Sequence, residues 1–113
     1  MSVVGAVVRQ RVDDLDEATA FYERLTGQTA NRFAYSGARL AAVGPFLLFA
    51  CDDDAAERLA RVVATIVVDD LPAQARILTD LGATIVAPPA PTPNGHRLIA
   101  KHPDGRVFEY VGP

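Results

Sequence analysis

Cysteine and histidine are scarce in this chain: Cys51 is the lone thiol, and His96 and His102 are the only imidazoles among 113 residues. One thiol excludes an intramolecular disulfide framework and fits a reducing, cytoplasmic compartment. Positive charge is short as well. Eleven Lys and Arg stand against 14 Asp and Glu, a formal net charge of −3, and no basic stripe offsets it. That excludes a nucleic-acid footprint. Long apolar runs are also missing. The stretch 3–8 is broken by Arg9, too short for a signal-peptide core or a membrane span, so no membrane partner is expected. Neither a glycine-rich phosphate loop nor a nucleophile elbow occurs. Half the residues are apolar and 22% are charged, which suits a single domain with a real core.

The chain does contain a repeat. Val12-Asp13-Asp14-Leu15 returns as Val68-Asp69-Asp70-Leu71, 56 residues later. Each copy follows a valine pair and opens a run with helical spacing that ends at Gly27 or Gly82. Residues 3–12 read as a strand. Asp14 caps a helix, with Glu17 three residues on, and Leu15, Ala18, Phe21, Tyr22 and Leu25 give it one apolar face. From Thr29 to Cys51 short strands are divided at Ser36-Gly37 and Gly44-Pro45. Asp52-Asp53-Asp54 caps a helical linker through Leu59; it lacks the spaced ligands of a calcium loop.

The second half repeats the plan: a strand over 62–68, a helix capped by Asp70 with Pro72 in its first turn, and a strand over 84–87. A stiff, extended surface loop is expected over Ala87-Pro88-Pro89-Ala90-Pro91-Thr92-Pro93, then a hairpin of 96–102 and 106–111 across Pro103-Asp104-Gly105. Runs of strands after each helix give an α+β class, with one domain over 1–113 made of two modules, about 1–53 and 57–113.

These residues resemble a known superfamily. Val-Asp-Asp-Leu-Asp-Glu-Ala-Thr-Ala-Phe-Tyr-Glu-Arg-Leu-Thr-Gly at 12–27 looks like the first-helix signature of the glyoxalase, bleomycin-resistance and extradiol-dioxygenase proteins, the vicinal oxygen chelate superfamily. His-Pro-Asp-Gly-Arg-Val-Phe-Glu-Tyr-Val at 102–111 is similar to its closing hairpin. The resemblance implies two βαβββ modules in tandem, a curled mixed sheet forming a cup for a small-molecule ligand, and a homodimer. In metal-using members, ligands come from the strand before each helix and from the last strand of each module. Counting back seven residues from each capping aspartate lands on Val7 and Val63, and aligning Gly44-Pro45 with Gly105-Arg106 places Leu48 opposite Glu109. Three of these four side chains carry no donor atom. No metal and no cofactor are therefore expected, since a divalent ion needs about three protein ligands.

Strand alternation supplies the expected lining. With Val7 facing the cup, Arg9 and Arg11 follow, joined by Val63, Thr65, Leu48 and Glu109, while Gln10 falls awkwardly on the helix side. Tyr35, with Phe33 and Arg39, forms a rim, and His102 sits in the closing turn. Arg9 and Glu109 read either as a structural salt bridge or as a ligand-orienting pair. Glu109 is the catalytic candidate, as a general base if its surroundings raise its pKa. Two functions follow. The first is a metal-free protein that binds or sequesters an apolar or planar ligand, as antibiotic-sequestering members do. The alternative is an enzyme of the superfamily, an isomerase, cyclase or lyase, using acid–base chemistry at Glu109.

Overall fold

The computed structural model describes residues 3–93 and 95–113. Its elements run β1 (Val3–Arg11), α1 (Leu15–Thr26), β2 (Asn31–Tyr35), β3 (Ala38–Val43), β4 (Phe46–Ala50), α2 (Asp53–Ala60), β5 (Thr65–Val68), α3 (Leu71–Asp80), β6 (Thr84–Thr92), β7 (Gly95–Lys101) and β8 (Val107–Gly112). The class is α+β with parallel and antiparallel strand pairs, and the order strand–helix–three strands occurs twice, as β1α1β2β3β4 and β5α3β6β7β8.

The chain divides into two compact units. Residues 7–60 form the first, and residues 61–113 together with 3–6 form the second. In the first unit the strand order is β2-β3-β4-β1, with β1 parallel to β4 and the rest antiparallel. Asp14 starts α1 as expected, its Oδ1 accepting from the Glu17 N–H at 3.0 Å. Gly27 ends the helix with φ 70°, a left-handed geometry that a side chain would resist. Leu15 from α1 packs with Ala41, Val43, Leu48 and Ala50 from one sheet face. The other face carries Ala38, Leu40 and Phe49, packed with Leu47 and with Leu59 of α2. Asp52 caps α2 by accepting from the Ala55 N–H at 2.8 Å, the role expected for the acidic triplet.

In the second unit the order is β5-β8-β7-β6, with β5 parallel to β8. Asp70 Oδ1 accepts from the Ala73 N–H at 3.1 Å, the same cap 56 residues on. Helix α3 lays Leu71 and Leu78 against Val68, Leu98, Ala100 and Tyr110. Burying each such aliphatic side chain contributes roughly 1.5–3 kcal/mol. Gly112 ends β8 where the backbone passes so close to Val68 that a Cβ would collide with the Val68 carbonyl.

Two expected boundaries change. The strand expected over 62–68 begins only at Thr65. The proline-rich segment is not a loop but the second half of β6, which pairs Ala90 with Arg97 and Pro91 with His96. Proline is tolerated there because β6 is the outermost strand of its order, and register shifts at 85–87 and 87–90 absorb the lost N–H groups.

Candidate functional site

The parallel pairing of first and last strands fixes what faces what. In the second unit Thr65 lies opposite Glu109, and Glu109 lies opposite Ile99. Leu98, Ala100, Phe108 and Tyr110 take the α3 side, so period-two alternation sends Thr65, Val67, Arg97, Ile99, Glu109 and Val111 to the opposite face. On that face three polar side chains converge. The Thr65 hydroxyl donates to Glu109 Oε1 at 2.8 Å, and the Arg97 Nε–H donates to Glu109 Oε2 at 2.7 Å. The ion pair is largely withdrawn from solvent, the side chains being 26% and 15% exposed for Arg97 and Glu109. An apolar floor with a few placed polar groups is the usual make-up of a small-molecule site.

Thr65 and Glu109, two of the polar residues expected in the lining, meet directly, and Arg97, which the sequence reading does not include, joins them. Its signal lay in the alternation of β7: with Leu98 and Ala100 buried, Arg97 must share the face of Glu109. Val63 precedes β5, is 55% exposed, and its N–H donates to the Val107 carbonyl. His102 points elsewhere. Its ring stacks on Phe108 with centroids 4.2 Å apart, and its Nε2 hydrogen-bonds the Tyr110 hydroxyl at 2.7 Å. Those two aromatics belong to the α3 side, so His102 does not join Glu109. Burial pushes the Tyr110 phenol above its ordinary value.

The first unit holds the other candidates. Leu48 is fully buried against Leu15 of α1, so its expected place opposite Glu109 is corrected. Arg9 pairs with Leu47 as Thr65 pairs with Glu109, which makes Leu47 the counterpart of Glu109. The one-residue slip arises because the Gly44-Pro45 and Gly105-Arg106 turns are not equivalent in register. Gln10, expected to sit awkwardly, accepts a hydrogen bond from the Tyr22 hydroxyl at 3.2 Å. Arg9 is half-buried in β1, and Tyr35 is exposed at the end of β2.

Arg11 donates from Nη2 to the Cys51 carbonyl at 3.1 Å and to Asp53 Oδ1 at 3.0 Å. The Asp53 hydrogen bond raises its already high pKa, so it stays charged. Two pockets flank this arginine. One, about 760 Å³, runs along α1 past Glu17, Phe21 and Tyr22; the other, about 440 Å³, is bordered by Arg39, Gly37 and Cys51.

A divalent metal does not fit these side chains. In the second unit Val63 offers no donor, and both Glu109 oxygens already accept hydrogen bonds, one from a guanidinium. Among the described residues no group of three His, Cys, Asp or Glu side chains is placed to hold an ion. No helix among them is long and apolar enough to cross a membrane.

Comparison with known proteins bears on the fold. The profile of the glyoxalase-like domain family matches residues 6–111. An uncharacterised protein from Methanosarcina mazei superposes with a TM-score of 0.88 at 34% identity, over 99% of this chain and 94% of that one. A methylmalonyl-CoA epimerase from Mycobacterium tuberculosis superposes at 0.69 with 25% identity, over 98% and 89% of the two chains. The Streptomyces coelicolor methylmalonyl-CoA epimerase shares the fold at 0.64 with 19% identity, over 98% of each chain. No curated protein matches the sequence.

Proposed function

Since the chain belongs to the glyoxalase-like domain family, within the vicinal oxygen chelate superfamily, we propose that it binds a small apolar or planar ligand on the Thr65–Arg97–Glu109 face without a divalent metal. One observation carries this reading. Glu109, the only donor in the ligand set that the resemblance implies, is held by a guanidinium at 2.7 Å. A cation covalently fixed to the chain supplies the counter-charge that a metal would bring. Arg97 and Glu109 then act as the polar reference points of the face, and Val67, Ile99 and Val111 supply its apolar contact area.

A second reading has its own support in the similarity to a methylmalonyl-CoA epimerase at 25% identity. Under it the chain is an enzyme of the superfamily, and Glu109 exchanges a proton with substrate after parting from Arg97. The two readings differ in turnover.

Thermal-shift measurements on the whole chain separate them. Zn²⁺, Ni²⁺ and Mn²⁺ are screened beside 2-oxo compounds, thiol conjugates and planar antibiotics, and each hit is assayed for turnover. The expected result is stabilisation by an organic ligand, none by metal, and loss of that stabilisation in Glu109→Gln. Tight, stoichiometric Zn²⁺ or Ni²⁺ binding overturns the metal-free reading. Turnover abolished by Glu109→Gln, in a variant that still folds, selects the enzyme.

A further inference from the structure

Arg11 and Arg39 border the same pocket of about 440 Å³ in the first unit. We propose that this pocket is a second binding site, specific for a phosphate group carried on a small molecule. It shares no residue with the Thr65–Arg97–Glu109 cluster, so it stands or falls separately from the function proposed above.

The local fold explains why two arginines border this pocket. Arg39 sits near the start of β3, opposite Ala50 at the end of β4. It follows a tight turn in which Ser36 and Gly37 both have positive φ, 53° and 79°. A third arginine buttresses that turn, with Arg58 Nη2 donating to the Ser36 carbonyl at 3.1 Å. The absence of a side chain at Gly37 admits it, because a Cβ there would lie 3.2 Å from the same nitrogen. The volume falls in the range of small-molecule sites.

The two guanidiniums are differently occupied. Arg39 is exposed, and among the described residues its side chain makes no hydrogen bond or ion pair. Arg11 is paired with Asp53, but that carboxylate is 97% exposed. Exposed pairs of this kind are weak and easily exchanged. An incoming anion can displace Asp53 from Arg11 while giving Arg39 its first counter-charge.

Charge and shape then select the anion. A carboxylate has one charge and two coplanar oxygens, which suit one guanidinium fork. A phosphate monoester carries nearly two charges and three acceptor oxygens pointing in different directions, which suit two forks at once. Asp13 lies on the same wall. Its negative charge confines the anionic end of the ligand to the arginines and leaves the remaining volume to an uncharged part.

Isothermal titration of the whole chain with phenyl phosphate, inorganic phosphate and benzoate tests this. Saturable phenyl phosphate binding is expected, at least tenfold tighter than benzoate. Arg39→Gln is expected to weaken it about tenfold, the loss of one charge-assisted contact. Asp53→Asn is expected to tighten it by up to about fivefold, because the internal competitor is gone. Both residues are exposed, and circular dichroism verifies that the variants fold. Equal binding of benzoate and phenyl phosphate overturns the phosphate specificity. An unchanged affinity in Arg39→Gln, a weakened one in Asp53→Asn, or no saturable binding at millimolar phosphate overturns the site.

Discussion

Arg97 and Glu109 meet on a diagonal: in the β7–β8 register Arg97 is opposite Val111 and Glu109 is opposite Ile99, yet their side chains close to 2.7 Å. Diagonal neighbours on one face of an antiparallel pair are within reach of a long side chain, and an arginine uses that reach. Each residue is the other's counter-charge in a setting with little water. Arg97→Met is therefore expected to cost roughly 2–3 kcal/mol, below the 3–5 of a fully buried pair, because it strands a half-buried carboxylate. Adding Glu109→Leu should recover most of that loss. Urea denaturation of the single and double variants measures the coupling, and additive losses would mean the two charges are energetically independent.

Thr65 is 4% exposed and spends its hydroxyl on Glu109. Thr65→Val keeps the shape and removes only that donor. The expected cost is about 1.5–3 kcal/mol, the usual worth of a hydrogen bond to a charged group. In the Glu109→Leu background the same substitution should be close to neutral, which chemical denaturation of both variants would show.

The corrected register in the first unit makes Leu47 and Leu48 unequal. Leu48→Ala removes a side chain with no exposure at all and leaves a cavity beside Leu15, so a loss of about 2–5 kcal/mol is expected. Leu47 is half-buried on the opposite face, and Leu47→Ala should cost about half as much. Thermal unfolding of the two variants decides; equal losses would contradict the assigned faces.

Gly112 cannot accept a side chain without moving backbone. Gly112→Ala would press a methyl group into the Val68 carbonyl, so β5 and β8 must part at that end. The expected destabilisation is about 1–3 kcal/mol, with faster amide exchange at the β5–β8 pairing. Gly105→Ala serves as a control: its Cβ meets nothing within 4 Å, although its φ of 89° still imposes strain.

Tyr110 gives the fold a dependence on alkaline pH. Burial raises its phenol above the usual 10.0, so the folded chain keeps a proton that the unfolded chain releases. The stabilisation is complete below pH 10.0 and is lost as pH climbs from there through the raised folded value. Tyr110→Phe should flatten that decline, while giving up the His102 hydrogen bond at neutral pH. Melting temperatures from pH 8 to about 11.5 provide the comparison.

The repeated Val-Asp-Asp-Leu was legible because capping is local chemistry: Asp14 and Asp70 satisfy the same N–H three residues on in both copies. Turns were legible for the same reason, Ser36-Gly37 and Gly44-Pro45 falling between β2, β3 and β4 as expected. What escaped depends on pairing. Leu47, not Leu48, is the counterpart of Glu109, because one residue of register decides which face a side chain takes and no single strand states its register. Arg97 escaped because its partner lies 12 positions away and is reached only through that register. The proline run has the composition of a loop, yet an outermost strand has room for residues that cannot donate.

That outermost strand has a consequence for how copies of this protein meet. An exposed strand edge is a template on which another chain can add its own backbone, the first step toward swapped dimers and fibres. Three of the nine residues of β6 are prolines, Pro88, Pro89 and Pro91, and none can offer an N–H. The register shifts on either side of Ala87 further spoil the spacing an incoming strand would have to match. The sheet ends in a strand that is hard to copy, and any association at this edge has to be made by side chains.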